Sequence, residues 1–272
     1  MSNKIDSINK VVVITGASSG IGYAIGKYLS SKHYTVYSLS RQFKEDKYIR
    51  YIECDITNYE QVDDCLYTIF QKHNHIDLII NNSGFGITSA IEELDINKYQ
   101  EMLKVNVDAA LNLSIQAINY LKQSHGKIIN MGSIASEIIS LFGTHYSISK
   151  QLLKLLSYCL YNECKYQKIG ICNLIIGKTH SDFEKNRIIN TKSDSAYSRD
   201  LNNYLNVFNS STKHWMQPIK IAKQIYKLDK KRKIPITKTI GLKNKLMILF
   251  FKSISTNLSN KITYNFFCKT KK

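Results

Sequence analysis

A chain of 272 residues with 43% apolar and 22% charged side chains carries enough apolar material to bury a full core, which excludes a disordered or fibrous protein. The formal net charge of +17 attracts polyanions, yet no zinc-finger spacing or RNA-binding aromatic motif accompanies the lysines, so nucleic acid is not the expected partner. No apolar run reaches about 18 residues and the polar start MSNKIDSINK lacks an apolar signal segment, so neither a membrane span nor export is expected.

VVVITG (Val11–Gly16) is a short β-branched run that stops at glycine and reads as a buried strand. Ile21 to Leu29 follow with helical spacing, and YTVYSLS supplies a second strand. Tyr48 to Cys54 form a third strand, after which Val62, Leu66, Ile69 and Phe70 recur at helical intervals. IDLIINN (Ile76–Asn82) is a fourth strand, and Tyr99 to Leu121 read as one long helix. KIINMGS begins a fifth strand, Tyr146 to Cys164 a further helix, and IGICNLII (Ile169–Ile176) a sixth strand. Apolar strands alternating with helices predict an α/β fold: a doubly wound parallel sheet in three α/β/α layers. No long polar linker interrupts the pattern, so one domain is expected over residues 1–272. Within it, about 180–216 is a polar, weakly helical substrate-loop region, and about 234–272 is a basic, partly apolar tail. Six cysteines (Cys54, Cys65, Cys159, Cys164, Cys172 and Cys268) show neither CxxC nor metal-like spacing. They are expected as mostly buried, reduced thiols in a cytoplasmic protein with no metal centre.

TGASSGIG (Thr15–Gly22) directly follows the first strand and opens the first helix. Gly16, Gly20 and Gly22 let the backbone turn sharply and approach a pyrophosphate at the helix N-terminus, where free N–H groups favour negative charge. Ser18, Ser19 and Ile21 lie in the same loop and are candidate contacts. The spacing differs from the common G-x-G-x-x-G loop, and no G-K-S/T ending marks an ATP-binding phosphate loop. An acidic residue closing the second strand would hold the ribose 2′-hydroxyl of NAD; this chain has Ser40 and Arg41 there. A guanidinium in place of the acid favours a 2′-phosphate, and so NADP(H). YSISK sets Tyr146 and Lys150 at i and i+4, on one face of a helix. Ser133 lies thirteen residues before the tyrosine, in MGSIAS.

With TGASSGIG, NNSG, MGSIAS and YSISK in this order, the chain resembles the short-chain dehydrogenase/reductase family, in its single-domain branch, from about Val11 to Ser181. The resemblance implies a Rossmann-type fold and an oxidoreductase that interconverts a ketone or aldehyde and an alcohol. In it Tyr146 is the acid or base, Lys150 lowers its pKa and holds the nicotinamide ribose, and Ser133 bonds the substrate oxygen. Asn106 matches the helix asparagine that supports a water relay to the lysine. Asn81, Asn82, Ser83 and Gly84 match the NNAG cofactor segment, with serine for alanine, and Asp55 with Ile56 matches the adenine contact. Gly177 and Ser181 match the nicotinamide loop, although Ile176 stands where proline is usual. The family usually assembles as dimers or tetramers through its two long helices. Its substrates include 3-oxoacyl compounds, hydroxysteroids, sugars, small ketones and a keto group on a modified peptide. Nucleotide-sugar epimerases and dehydratases share YxxxK, and a non-catalytic dinucleotide- or RNA-binding protein is a further alternative. No G-x-S-x-G elbow supports a serine hydrolase.

Aromatic and apolar residues Phe183, Tyr197, Tyr204, Phe208, Trp215 and Met216 are expected to wall a moderately apolar substrate pocket. The tail, with its apolar run Leu246 to Phe251, resembles those of members acting on retinoids, steroids and similar hydrophobic carbonyl compounds. It is read as completing the core, covering the pocket, joining subunits, or lying on an anionic membrane surface.

Overall fold

The computed structural model describes residues 9–138, 140–192, 194–210 and 215–268; residues 1–8 of the polar start, part of the substrate-loop region and the last four residues of the tail lie outside the described residues. The chain begins with β1 (Val11–Thr15), α1 (Gly20–Ser30), β2 (Thr35–Ser40), β3 (Arg50–Glu53), α2 (Tyr59–His73), β4 (Leu78–Asn81) and β5 (Ile87–Thr88). Next come α3 (Ile96–Leu103), α4 (Ala109–Ser124), β6 (Lys127–Ser133), α5 (Thr144–Glu163) and β7 (Gly170–Ile176). The remainder comprises β8 (Ile188–Ile189), α6 (Ser198–Ser210), α7 (Pro218–Asp229), β9 (Thr237–Thr239), α8 (Leu242–Ser253) and α9 (Thr256–Cys268).

All five side chains of β1 are buried, and alternation along the strand divides them between two cores. Val11 and Val13 pack with Leu66 of α2 and Leu113 of α4, whereas Val12 and Ile14 pack with Ile25 of α1 and Ile225 of α7. A strand with no polar face needs helices on both sides, and the sheet has them. Its order is β3-β2-β1-β4-β6-β7-β9, with every pairing parallel. The connections from β1 and β4 diverge to opposite sides, which opens a crevice beyond the carboxyl ends of those two strands. This is the doubly wound α/β architecture expected from the alternation.

Two features depart from the sequence reading. The expected helix from Tyr99 to Leu121 is α3 and α4 joined by a π-helical segment, Lys104–Asp108, with buried Asn106 inside it. The sheet also has a seventh strand, β9, whose sequence TKT is polar and only half-buried. Its place is set by flanking backbone, as Ile240 N donates to Ile175 O at 2.9 Å. Of the six cysteines five are buried, in keeping with the expectation that most are, and Cys159 is exposed on α5. Among the described residues, no helix is long and apolar enough to cross a membrane.

At the opposite end from the crevice, buried Asp229 accepts from Lys10 Nζ at 2.7 Å, Tyr34 Oη at 2.6 Å and Lys127 Nζ at 3.2 Å. Burial would lift its carboxyl, but the hydrogen bonds from Lys10 and Tyr34 and the Lys127 charge outweigh that and hold it below the ordinary range. Its contribution to stability is therefore present above the unfolded carboxylate pKa of about 3.9 and is lost as pH falls through the lower folded value. Asp229→Ala would strand the buried Lys127 ammonium, and a loss of about 3–5 kcal/mol is expected in urea unfolding at neutral pH. A variant as stable as the parent would show that the network contributes nothing net.

Candidate active site

The loop after β1 turns through two left-handed glycines, Gly16 at φ +68° and Gly20 at φ +56°. A side chain on Gly16 would meet Ser83 Oγ, and one on Gly22 would meet the Gly16 carbonyl. The loop is tied to the end of β4. Thr15 Oγ1 accepts from the backbone of Asn82 and Ser83, and Asn82 Nδ2 donates to the Thr15 and Gly16 carbonyls, all at 3.0 Å. Ser19 stands at the N-cap of α1 without capping it, so the first-turn N–H groups keep their capacity to bind an anion.

This loop floors a cleft of about 530 Å³, within the usual range for a ligand site. Gly16, Ser18, Ser19, Gly20, Ile21 and Gly22 lie along its base. Ser40, Arg41, Asp55 and Ile56 stand on one side, and Asn82, Ser83 and Gly84 on the other. Hydrogen bonds from the Thr57 backbone and hydroxyl, with help from the Arg41 guanidinium, hold the Asp55 carboxyl below the ordinary range. Asn81 does not reach the cleft; its amide donates to Asn130 Oδ1 at 2.7 Å and to Ser114 Oγ at 3.2 Å behind the sheet. Ser181 lines the cleft, whereas Gly177 lies against Asn244 of α8, where any side chain would collide, and is not part of the cleft wall. Lys44 was not legible as a site residue; its ammonium reaches Ser18 O at 3.4 Å and lies 4.8 Å over the Tyr23 ring. Glycines that tolerate no side chain, uncapped N–H groups and this volume fit a dinucleotide with its pyrophosphate on the loop.

Ser133 ends β6, and α5 brings Tyr146 and Lys150 beside it. Burial pushes the Tyr146 phenol up to about 12, while a hydrogen bond with Ser133 and the Arg187 guanidinium pull the other way. Lys150 is buried, donates to Met131 O at 2.9 Å, and its Nζ lies 5.6 Å from the Tyr146 ring centroid. Desolvation brings its pKa down to about 8. Asn106 donates to Phe85 O at 2.9 Å and Ser149 Oγ at 3.1 Å, and accepts from Phe85 N at 3.0 Å. The π turn aims this amide at the loop after β4, where Gly84 permits close approach.

The wall over Tyr146 comes from the segment after β7. β8 pairs with β5, and this brings the Phe183 ring to 5.4 Å from that of Tyr146. Arg187 donates to Glu184 Oε2 at 2.7 Å, to Glu184 Oε1 at 3.0 Å and to Thr88 Oγ1 at 3.0 Å. Phe183 lines the cleft and was expected as pocket wall; Glu184 and Arg187 were not foreseen. Tyr204, also expected there, is fully buried against Phe142 and Phe267. Met216, also expected there, is partly buried and packs against the core on the α1 and α7 side of the sheet.

A profile of the short chain dehydrogenase family matches residues 10–192. The chain belongs to that family of oxidoreductases. It is 28% identical over 254 residues to a probable short-chain type dehydrogenase/reductase of Helicobacter pylori, covering 91% of this chain and 94% of the relative. It is 27% identical over 259 residues to a 3-ketodihydrosphingosine reductase of Bacteroides thetaiotaomicron, covering 94% and 96%. The crystal structure of a Streptomyces avermitilis short-chain dehydrogenase superposes with a TM-score of 0.82 at 20% identity, over 97% of each chain, which shows the fold.

Proposed function

We propose that this protein is an NADP(H)-dependent reductase of ketones or aldehydes, with Tyr146 as the acid. The observation that carries this is the convergence of Ser133, Tyr146 and Lys150 beside a glycine-floored cleft. A bound nicotinamide cofactor supplies the hydride. Gly16, Ser18, Ser19, Gly20, Ile21 and Gly22 seat its pyrophosphate; Asp55 and Ile56 border the adenine; Asn82, Ser83, Gly84 and Ser181 border the remainder. Ser40 and Arg41 take the 2′-phosphate, with Lys44 as a second cation nearby.

A phenol near 12 is fully protonated at neutral pH, so Tyr146 is poised to give its proton to a carbonyl oxygen. Ser133 provides a second donor where negative charge develops. Lys150 places a positive charge behind the ring, favouring the phenolate left after transfer. Asn106 fixes the loop carrying Gly84 and Phe85 and also holds Ser149, one residue before Lys150. Support for a ketone substrate comes from the Bacteroides relative, which is a 3-ketodihydrosphingosine reductase, and from the aromatic wall at Phe183. A panel of 3-oxoacyl, long-chain and small ketones, screened for consumption of NADPH, tests the reading. No turnover with any of them would refute it.

Lys150 gives a pH dependence. Its ammonium is intact below about 8 and is lost as pH rises through that value. The rate of carbonyl reduction, as kcat/KM, is therefore expected to be level at neutral pH and to fall above about 8. Lys150→Arg, which keeps its charge, would shift that falling limb upward. An unchanged limb in this variant would assign it to another group.

We also read the protein as a homodimer or homotetramer. Leu111 and Ile115 on α4 and Ile148, Leu152 and Leu155 on α5 are exposed apolar residues on the two long helices. Leu156, next to Leu155 in the chain, packs against the core instead. Sedimentation of Leu155→Glu is expected to show a smaller species than the parent while the fold is retained. A parent that already sediments near the 31.3 kDa chain mass would overturn the assembly.

A further inference from the structure

Between Lys230 and Lys272 the chain holds twelve Lys and Arg and no Asp or Glu, so most of its +17 net charge is concentrated there. The last three of those lysines lie outside the described residues. Within this segment α8 exposes Leu242 (71%), Leu246 (57%), Leu249 (66%) and Phe250 (50%). These positions recur at i, i+4, i+7 and i+8 and form one stripe, with Lys243 on one flank and Lys245 and Lys252 on the other. α9 adds exposed Leu258 and Phe266, with Lys261 between them in sequence.

These helices are fastened to the body by their other sides. Ile248 is buried, and Lys252 Nζ lies 2.6 Å from the carboxylate of Glu137, a buried acid that also pairs with Lys154 at 2.7 Å. Asn244 fills the space beside Gly177. On α9, Phe267 packs against Tyr204 at 5.0 Å between ring centroids, and Asn203 Nδ2 donates to Cys268 O at 3.2 Å. The apolar stripe therefore faces outward from anchored helices.

We propose that α8 and α9 form a docking face for the surface of an anionic phospholipid bilayer. Apolar side chains flanked by lysines suit a headgroup boundary, where the chains enter the acyl region and the ammonium groups meet lipid phosphates. A second copy of this chain is a poor occupant, because it would bring an equally basic, acid-free face against this one. Nucleic acid would satisfy the lysines but would leave Leu246, Leu249 and Phe250 facing a phosphate backbone. α6, which α9 supports, belongs to the substrate-side region, so docking would set that side of the molecule near the lipid.

The test is flotation of the full chain with vesicles of phosphatidylcholine alone and of phosphatidylcholine with about one third phosphatidylglycerol. At least tenfold stronger partitioning onto the anionic vesicles is expected, weakening as salt is raised. Leu249→Glu with Phe250→Glu, and separately Lys243→Glu with Lys245→Glu, should each reduce that partitioning at least tenfold. Thermal unfolding and NADPH binding should be unchanged, since all four side chains are exposed. Equal binding to both vesicle types, or full binding by the Leu249/Phe250 variant, would overturn the proposal. So would a variant whose only change is dissociation of an oligomer, which assigns the face to a second copy. Tight binding of polyuridylate with no vesicle binding would assign it to nucleic acid.

Discussion

Tyr146→Phe is expected to lower turnover of a carbonyl substrate by roughly 10²–10⁴ while leaving the fold and cofactor affinity nearly intact. The substitution removes one hydroxyl and keeps the ring, so the packing against Phe183 survives. What disappears is the phenolic hydroxyl that hydrogen-bonds with Ser133 at the end of β6. Ser133 alone still polarises a carbonyl, and that residual donor keeps the expected loss finite. Steady-state rates at saturating NADPH, with a cofactor titration and a melting curve, separate the outcomes. Full activity would remove Tyr146 from the chemistry, even though the family assignment would stand.

The second large effect is expected at Arg41. The wild-type protein should bind NADPH more tightly than NADH, and Arg41→Asp should weaken NADPH binding by about 10–100-fold, consistent with losing one charge-assisted hydrogen bond and adding repulsion. The new carboxylate would offer the NADH ribose an acceptor, so NADH affinity should hold or rise. Lys44 sits near Ser18 and keeps some attraction for a 2′-phosphate, which is why the loss is not larger. Fluorescence titration with both cofactors decides the matter. Tighter NADH than NADPH binding by the wild type would defeat the reading of Ser40 and Arg41.

Cofactor-side features were legible because local rules set them. A β-branched run ending in glycine and followed by helical spacing can be read directly, and the cleft floor from Gly16 to Gly22 falls where that reading puts it. Tyr146 and Lys150 share a helix face by spacing alone, and Ser133 arrives by strand pairing of β6 with β7. What escaped depended on contacts distant in sequence. TKT has no apolar signature, so β9 is defined by its partner β7 and by the flanking Ile240 backbone. The π turn at Asn106 interrupts a pattern whose spacing looks uniformly helical, and the partners of that amide, Phe85 and Ser149, lie 21 and 43 residues away in the chain. Arg187 was anonymous among the chain's many cations until β8 met β5; its bond to Thr88 spans 99 residues. On α5 the difference between Leu155 and Leu156 is a rotation of about 100°, which a run of leucines conceals.

The pairing of β5 with β8 also sets a small two-stranded sheet beside the seven-stranded one. Only short stretches meet there, through backbone bonds such as Ile188 N to Gly86 O and Asn190 N to Thr88 O, each at 3.0 Å. Two residue pairs join them there, whereas parting β1 from β4 would open both cores at once. Opening of the wall that carries Phe183 is therefore expected to cost less than opening of the sheet. A ligand on the glycine loop would keep Gly16 to Gly22 beneath it while the wall that carries Ser181 and Phe183 opened. In such an arrangement entry of the second reactant would be timed by a latch of a few residues, and the first would keep the sheet-borne part of its seat throughout.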